Sequence, residues 1–287
     1  MFNTSLAQAV ECFAQVTHDA PDVELDREWA WGAYDSEGVR LAFFRTYEEL
    51  RELAARLATE RAAHGPVTST VQRILAQRHA AYRDLQAILL GIGTDEAEQV
   101  PAEGEWPLRQ VMAHIVAAEL GFFAVIKYAL ERHRSGDARP AKIPDEAWDA
   151  LIGEDGATIE ATLDGPLAGI QSYGQALHER VVQEFADVSE EELAAPSMYW
   201  EGYELSLRFR LHRFDSHLRQ HIVQIEKTLA GIGRSPNEAR RLLRLIYAAL
   251  AEVEGVTIGA GQVGVGLRRE AAEAIAARAS EVASILA

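Results

Sequence analysis

LSLRFRLHRFDSHLRQHIVQIEKTLA, residues 205–230, decides the fold. Leu207, Leu211, Phe214, Leu218, Ile222, Ile225 and Leu229 recur every three or four positions, and only the 3.6-residue period of an α-helix gathers such a series on one face. The spacing predicts one long helix from Leu205 to Leu229. At 100° per residue, His217 and His221 fall together on one flank of that face. One turn of helix separates them by about 6 Å of rise, so both imidazoles can reach a common point. Clean period-two alternation is almost absent along the chain, and the predicted fold class is all-α.

Working outward, the same periodicity marks a short helix through Leu6, Val10, Phe13 and Val16, capped by Thr4 or Ser5. A second runs from Val39 through Leu57, although REWAWGAYDSEGVRLAFF could instead turn as a hairpin around DSEG. Thr68 to Leu90 reads as a third. Pro107 sits where the first turn of a helix tolerates proline, and that helix runs to about Arg132. Residues 134–156, rich in Gly, Pro and Asp and carrying Trp148, are long for a structureless connection, a length typical of lids and binding loops. Pro166 opens a helix through Phe185, and Ser189 with Glu192 forms a capping box. Ser235 with Glu238 repeats that signal, with Pro236 at the first helical position, and an Ala-rich helix follows the glycines of VTIGAGQVGVG. GAGQVG echoes a dinucleotide fingerprint but lacks the surrounding strand–helix alternation. The expected organisation is a helical extension over 1–67, a four-helix bundle over 68–231 and a second extension over 232–287.

Composition limits the function. The chain has 287 residues, 28 Lys plus Arg against 44 Asp plus Glu, and a formal charge of −16. Such a chain repels phosphate backbones and anionic membranes, so neither nucleic acid nor membrane is an expected partner. Cys12 is the only cysteine, which precludes an internal disulfide or a Cys-rich zinc cage and fits a reducing cytoplasm. We read Cys12 as a buried small hydrophobe. The opening residues lack a basic leader, and no apolar run reaches the ~18–20 residues of a membrane span.

A second stretch, EWPLRQVMAHIVAAE, residues 105–119, places His114 at the flank of the stripe Val111, Ile115, Ala118, Phe122 and Ile126. Two helices could thus bring three imidazoles together, whereas a His-x-x-x-His pair alone also fits two packed histidines donating to carbonyls. His18, His64, His79, His133, His178 and His212 read as surface residues. Taken together, the Trp106-to-His114 stretch, about a hundred helical residues, and HRFDSHLRQHIVQ resemble the DinB superfamily, which includes YfiT-like metal-dependent enzymes and relatives of mycothiol-dependent maleylpyruvate isomerase. The resemblance spans roughly residues 68–231. It implies a four-helix bundle with a metal at one end, His114, His217 and His221 as ligands, and Gln224 just behind them. Pro107 stands where the family usually has Ser or Thr. Ile222 and Val223 replace its frequent Arg-Gly, which removes a family-like anion contact.

Three neutral imidazoles leave coordination positions open, the pattern of catalytic sites. Zinc and nickel suit them, and iron(II) also fits. A bound ion would acidify a water or a thiol. Through the resemblance, the expectation is a small-thiol-dependent S-transferase acting on an electrophilic small molecule, with bacillithiol or mycothiol as the type of thiol. The alternatives are a metal-dependent hydrolase and a non-catalytic metal-binding stress protein. Trp148, Tyr199 and Trp200 either line a substrate pocket or plug the bundle end. Glu119, near the middle of an apolar stripe, either serves as a base or pairs with an arginine such as Arg210. The extra helices offer apolar faces for a homodimer.

Overall fold

The computed structural model describes residues 5–32, 37–137 and 139–287. In chain order its helices are α1 (Leu6–Thr17), α2 (Val39–His64), α3 (Thr70–Ile88), α4 (Thr94–Glu98), α5 (Leu108–Arg134), α6 (Trp148–Ile152), α7 (Gly156–Leu163), α8 (Leu167–Phe185), α9 (Glu190–Leu193), α10 (Leu207–Gly231), α11 (Glu238–Thr257) and α12 (Val265–Leu286). Two three-residue strands, β1 (Pro196–Met198) and β2 (Glu204–Ser206), pair antiparallel between α9 and α10. The fold is all-α, as the periodicity predicts.

The chain forms two compact units. One comprises Met1–Val67, Tyr82–Ile92 and Ser235–Ala287; the other comprises Thr68–Ala81 and Gly93–Arg234. The two flanking segments that the sequence presents as separate extensions thus belong to one unit. Its core is aliphatic with a few rings: Phe13 meets Phe43 edge-on at 5.1 Å, among buried Leu25, Leu50, Leu57, Ile246, Leu250 and Ile275. Arg278 is buried there, and its guanidinium holds Glu49 through two 2.8 Å contacts and Thr46 Oγ1 through a third. α2 starts at Gly38, whose φ of +72° and whose approach to the Leu25 carbonyl (2.9 Å from where a Cβ would lie) both require glycine. The DSEG alternative falls largely outside the described residues, since 33–36 are not among them; α2 begins directly after it.

The other unit is a four-helix bundle. α5 packs against both α8 and α10, and the first half of α3 adds buried Val71, Ile74 and Leu75. By length and composition α5 alone among the described helices could cross a membrane, which corrects the reading that no apolar run is long enough. Two-thirds of that stretch (67%) is buried inside the protein, as befits the central helix of a bundle.

Several local expectations need correction. Pro107 is the residue before the first helical turn of α5, not within it: its carbonyl accepts from Gln110 and Val111. α11 starts two residues later than Ser235 implies, because the side chain of Asn237 caps it by accepting from Arg240 N. Leu205 lies in β2, and α10 is capped by Ser206, which accepts from Phe209 N. The stretch 134–156 is not structureless but contains α6. Cys12 is exposed, because α1 buries Leu6, Val10, Phe13 and Thr17 and position 12 falls off that stripe.

Candidate metal centre

α5 and α10 supply all three predicted ligands. On α10 the buried stripe runs Leu207, Leu211, Phe214, Leu218, Ile222, Ile225 and carries His217 and His221 inward on its flank. Both are 6% exposed, and His114 of α5 is half-buried opposite them. The ring centroids lie 4.4 Å apart for His217 and His221, 4.7 Å for His114 and His221, and 5.4 Å for His114 and His217. One ligand atom from each falls within 4.8 Å of the others. Two nitrogens held by one ion at about 2.0–2.1 Å each can be no more than ~4.2 Å apart. The 3.1 Å between His221 Nε2 and His217 Nε2 meets that limit.

The donor chemistry fits an ion. The Gln224 side-chain oxygen lies 2.8 Å from His221 Nδ1 and can only accept, so the proton is on Nδ1 and Nε2 presents its lone pair to the cluster. This is the support from behind that ligand imidazoles commonly receive. His217 Nδ1 is buried with no hydrogen-bond partner, and Phe122 closes on that ring edge-on at 5.4 Å. Burial, reinforced by the charges of His221, His114 and Arg213, pushes His217 down to about 3. Burial, with His221 adding, also lowers His114. Both are therefore neutral at pH 7, with lone pairs available.

Trp106 flanks the cluster on one side, 5.4 Å from the His114 ring. On the other side Phe122 links His217 to Phe214, 5.6 Å away and perpendicular. Arg213, one turn before His217, places its guanidinium 5.8 Å from the Phe122 ring centre. Among the described residues, no hydrogen bond or ion pair of the three imidazoles involves a carboxylate.

Glu119 is 5% exposed and pairs with Arg78 of α3 at 2.7 Å, not with Arg210. Arg210 belongs instead to the hairpin, where it pairs with Glu201 and donates to Ser197 Oγ at 3.1 Å. Arg78 also donates to His178 Nδ1 of α8 at 2.5 Å and lies over the Phe214 ring at 4.7 Å. With Nδ1 accepting, His178 carries its proton on Nε2 and donates it to His79 Nδ1, 2.8 Å away. His178 is therefore a core residue, not a surface one, and His79 is half-buried. Arg78 could have been found in the sequence: it stands on the stripe Val71, Leu75, Tyr82, Leu85, where an unpaired guanidinium would be costly.

The aromatic trio divides. Tyr199 packs against α5 and stands 6.3 Å from Trp148, whereas Trp200 at the hairpin turn is 78% exposed. A Cβ on Gly121 would lie 2.1 Å from Tyr199 Oη and 3.1 Å from Cζ, so this glycine is what lets the hairpin seat on α5. Gly121→Ala is expected to cost about 1–3 kcal/mol through overpacking. Adding Tyr199→Phe should recover part of it in thermal unfolding; equal costs in the single and double variants would show that Tyr199 is not the obstacle.

A family model described as the DinB superfamily matches residues 77–225. No curated protein matches the chain. Among solved structures it is similar to YfiT from Bacillus subtilis, described as "a probable metal-dependent hydrolase with an unusual four-helix bundle topology", at 16% identity and a TM-score of 0.42, over 57% of this chain and 87% of the other.

Proposed function

The chain belongs to the DinB superfamily, and from that premise we propose that it is a metal-dependent enzyme. In this reading His114, His217 and His221 hold one divalent transition ion, and the reaction joins a small thiol of the bacillithiol or mycothiol type to an electrophilic small molecule. The observation that carries the reading is the charge of the site. Three neutral imidazoles beside the Arg213 guanidinium leave the charge of a dication wholly unbalanced, so the centre favours an anionic partner. Imidazole donors suit zinc or nickel, with iron(II) also accommodated.

When bound, such an ion supplies acidity, lowering the pKa of a thiol or water that reaches it. The protein does the rest. Gln224 fixes the His221 tautomer, Phe122 closes one side of the cluster, and Trp106 flanks the other. In the transfer, the thiol gives its proton to solvent, its sulfur forms a bond to the electrophilic carbon, and the leaving group departs with the bonding pair. The same acidity would serve water, so hydrolysis is the second reading; Glu119, paired with Arg78, is not a free base for it.

Consumption of a haloarene or haloalkylamide should require an added small thiol and saturate with its concentration. The rate should collapse in His217→Ala, because the thiol's pKa then returns toward ~8.5 and little thiolate exists at pH 7. Bacillithiol, mycothiol, glutathione and coenzyme A should be compared. Thiol-independent hydrolysis of esters or amides, with no thiol accelerating electrophile consumption, would replace the transferase reading with the hydrolase one.

A further inference from the structure

We infer that Arg213 is a specificity-determining residue that reads a carboxylate carried by a substrate of the metal centre. This rests on the metal-centre reading above and extends it to the substrate's chemistry.

α10 carries Arg208, Arg210, Arg213 and Arg219. Arg208 pairs with Glu190, Arg210 with Glu201 and Arg219 with Asp215. Arg213, on the same helix of a chain with 44 acidic residues against 28 basic ones, pairs with no carboxylate among the described residues. Among the described residues its side chain has only the Ser216 hydroxyl, at 3.3 Å, and the Phe122 ring. In so acidic a chain an unpaired, half-buried guanidinium is out of keeping with its surroundings.

Its position adds to the point. Arg213, His217 and His221 succeed one another at four-residue intervals, so they share one side of α10 and the guanidinium lies one turn from the nearest ligand. On the same side of α10 as the imidazoles, its positive charge opposes a dication there. An anion between the two would reverse that opposition. A guanidinium matches a carboxylate in plane and spacing through paired N–H donors. Phe122, buried and edge-on to His217, supports the guanidinium over its ring. The carboxylate could reside on the electrophile or on the thiol, and the test separates the two.

The full-length protein would be loaded with cobalt(II), whose visible spectrum reports on its ligands, and titrated with two pairs of probes. Phenylacetate against phenylacetamide represents the electrophile; 3-mercaptopropionate against 3-mercaptopropionamide represents the thiol. We expect one acid to bind at least about tenfold more tightly than its amide, and Arg213→Gln to remove that preference while the cobalt spectrum of the free protein and the helical circular dichroism remain unchanged. Arg213→Lys, which keeps the charge but not the fork, should retain a weakened preference, and it decides the matter should the glutamine variant fail to fold. An acid preference that persists undiminished in the arginine variants, or no preference in either pair, would overturn the inference while leaving the metal centre intact. Absence of any cobalt spectrum in the unaltered protein would overturn the metal centre, and the inference with it.

Discussion

His217→Ala should lower the transition-metal content of protein purified without chelators from about one ion per chain to near zero, since a three-ligand site that keeps its fourth position open has no ligand to spare. His114→Ala and His221→Ala should do the same. Elemental analysis measures the loss directly, and metal content unchanged in all three variants would remove the site. The far-ultraviolet helical signal should survive. The bundle rests on the apolar stripes of α3, α5, α8 and α10, unlike a zinc finger, in which metal binding supplies the folding energy. Collapse of that signal on metal removal would mean that the ion, not the core, holds the helices together.

The second large effect is structural. Arg78→Leu leaves Glu119 charged, buried and without its partner, and removes the donor to His178 as well. Breaking a buried pair in this way is expected to cost about 3–5 kcal/mol, read as a lower urea midpoint, with metal content unaffected. Glu119→Gln should also destabilise without releasing metal. Arg78→Leu combined with Glu119→Leu should regain much of the loss, because replacing both members by apolar groups removes the uncompensated charge. If the double variant is as unstable as Arg78→Leu, the pair is not the source of the cost. If Glu119→Gln is stable but inactive, Glu119 belongs to catalysis.

What the sequence reveals follows from range. The helices and the His114–His217–His221 cluster were legible because both obey the 3.6-residue period: the stripe from Leu207 to Ile225 and the His217–His221 spacing are properties of one segment, and so is the His114 flank. Partnerships between helices were not legible. Position 119 states that a buried acid needs a cation, but whether Arg78 or Arg210 provides it depends on which helix faces α5 and in what register. The hairpin of β1 and β2 was missed because three-residue strands are too short to show alternation. His178 was misassigned because it flanks the α8 stripe, a position that reads equally as surface until Arg78 arrives opposite it. Gly121 gave no signal at all, since its requirement comes from a tyrosine 78 positions away in the chain.

The three clustered imidazoles come from α5 and α10, whereas Trp148 of α6 and Tyr199 and Trp200 of the turn between β1 and β2 stand on the segment that links those helices. The imidazole cluster and these aromatic side chains are therefore carried by separate stretches of the polypeptide. Within that segment, which also carries the bundle helix α8, the turn between β1 and β2 can change length without moving an imidazole, provided that Gly121 and Tyr199 change together. For protein engineering, the helix pair is a chassis on which that turn can be redesigned alone.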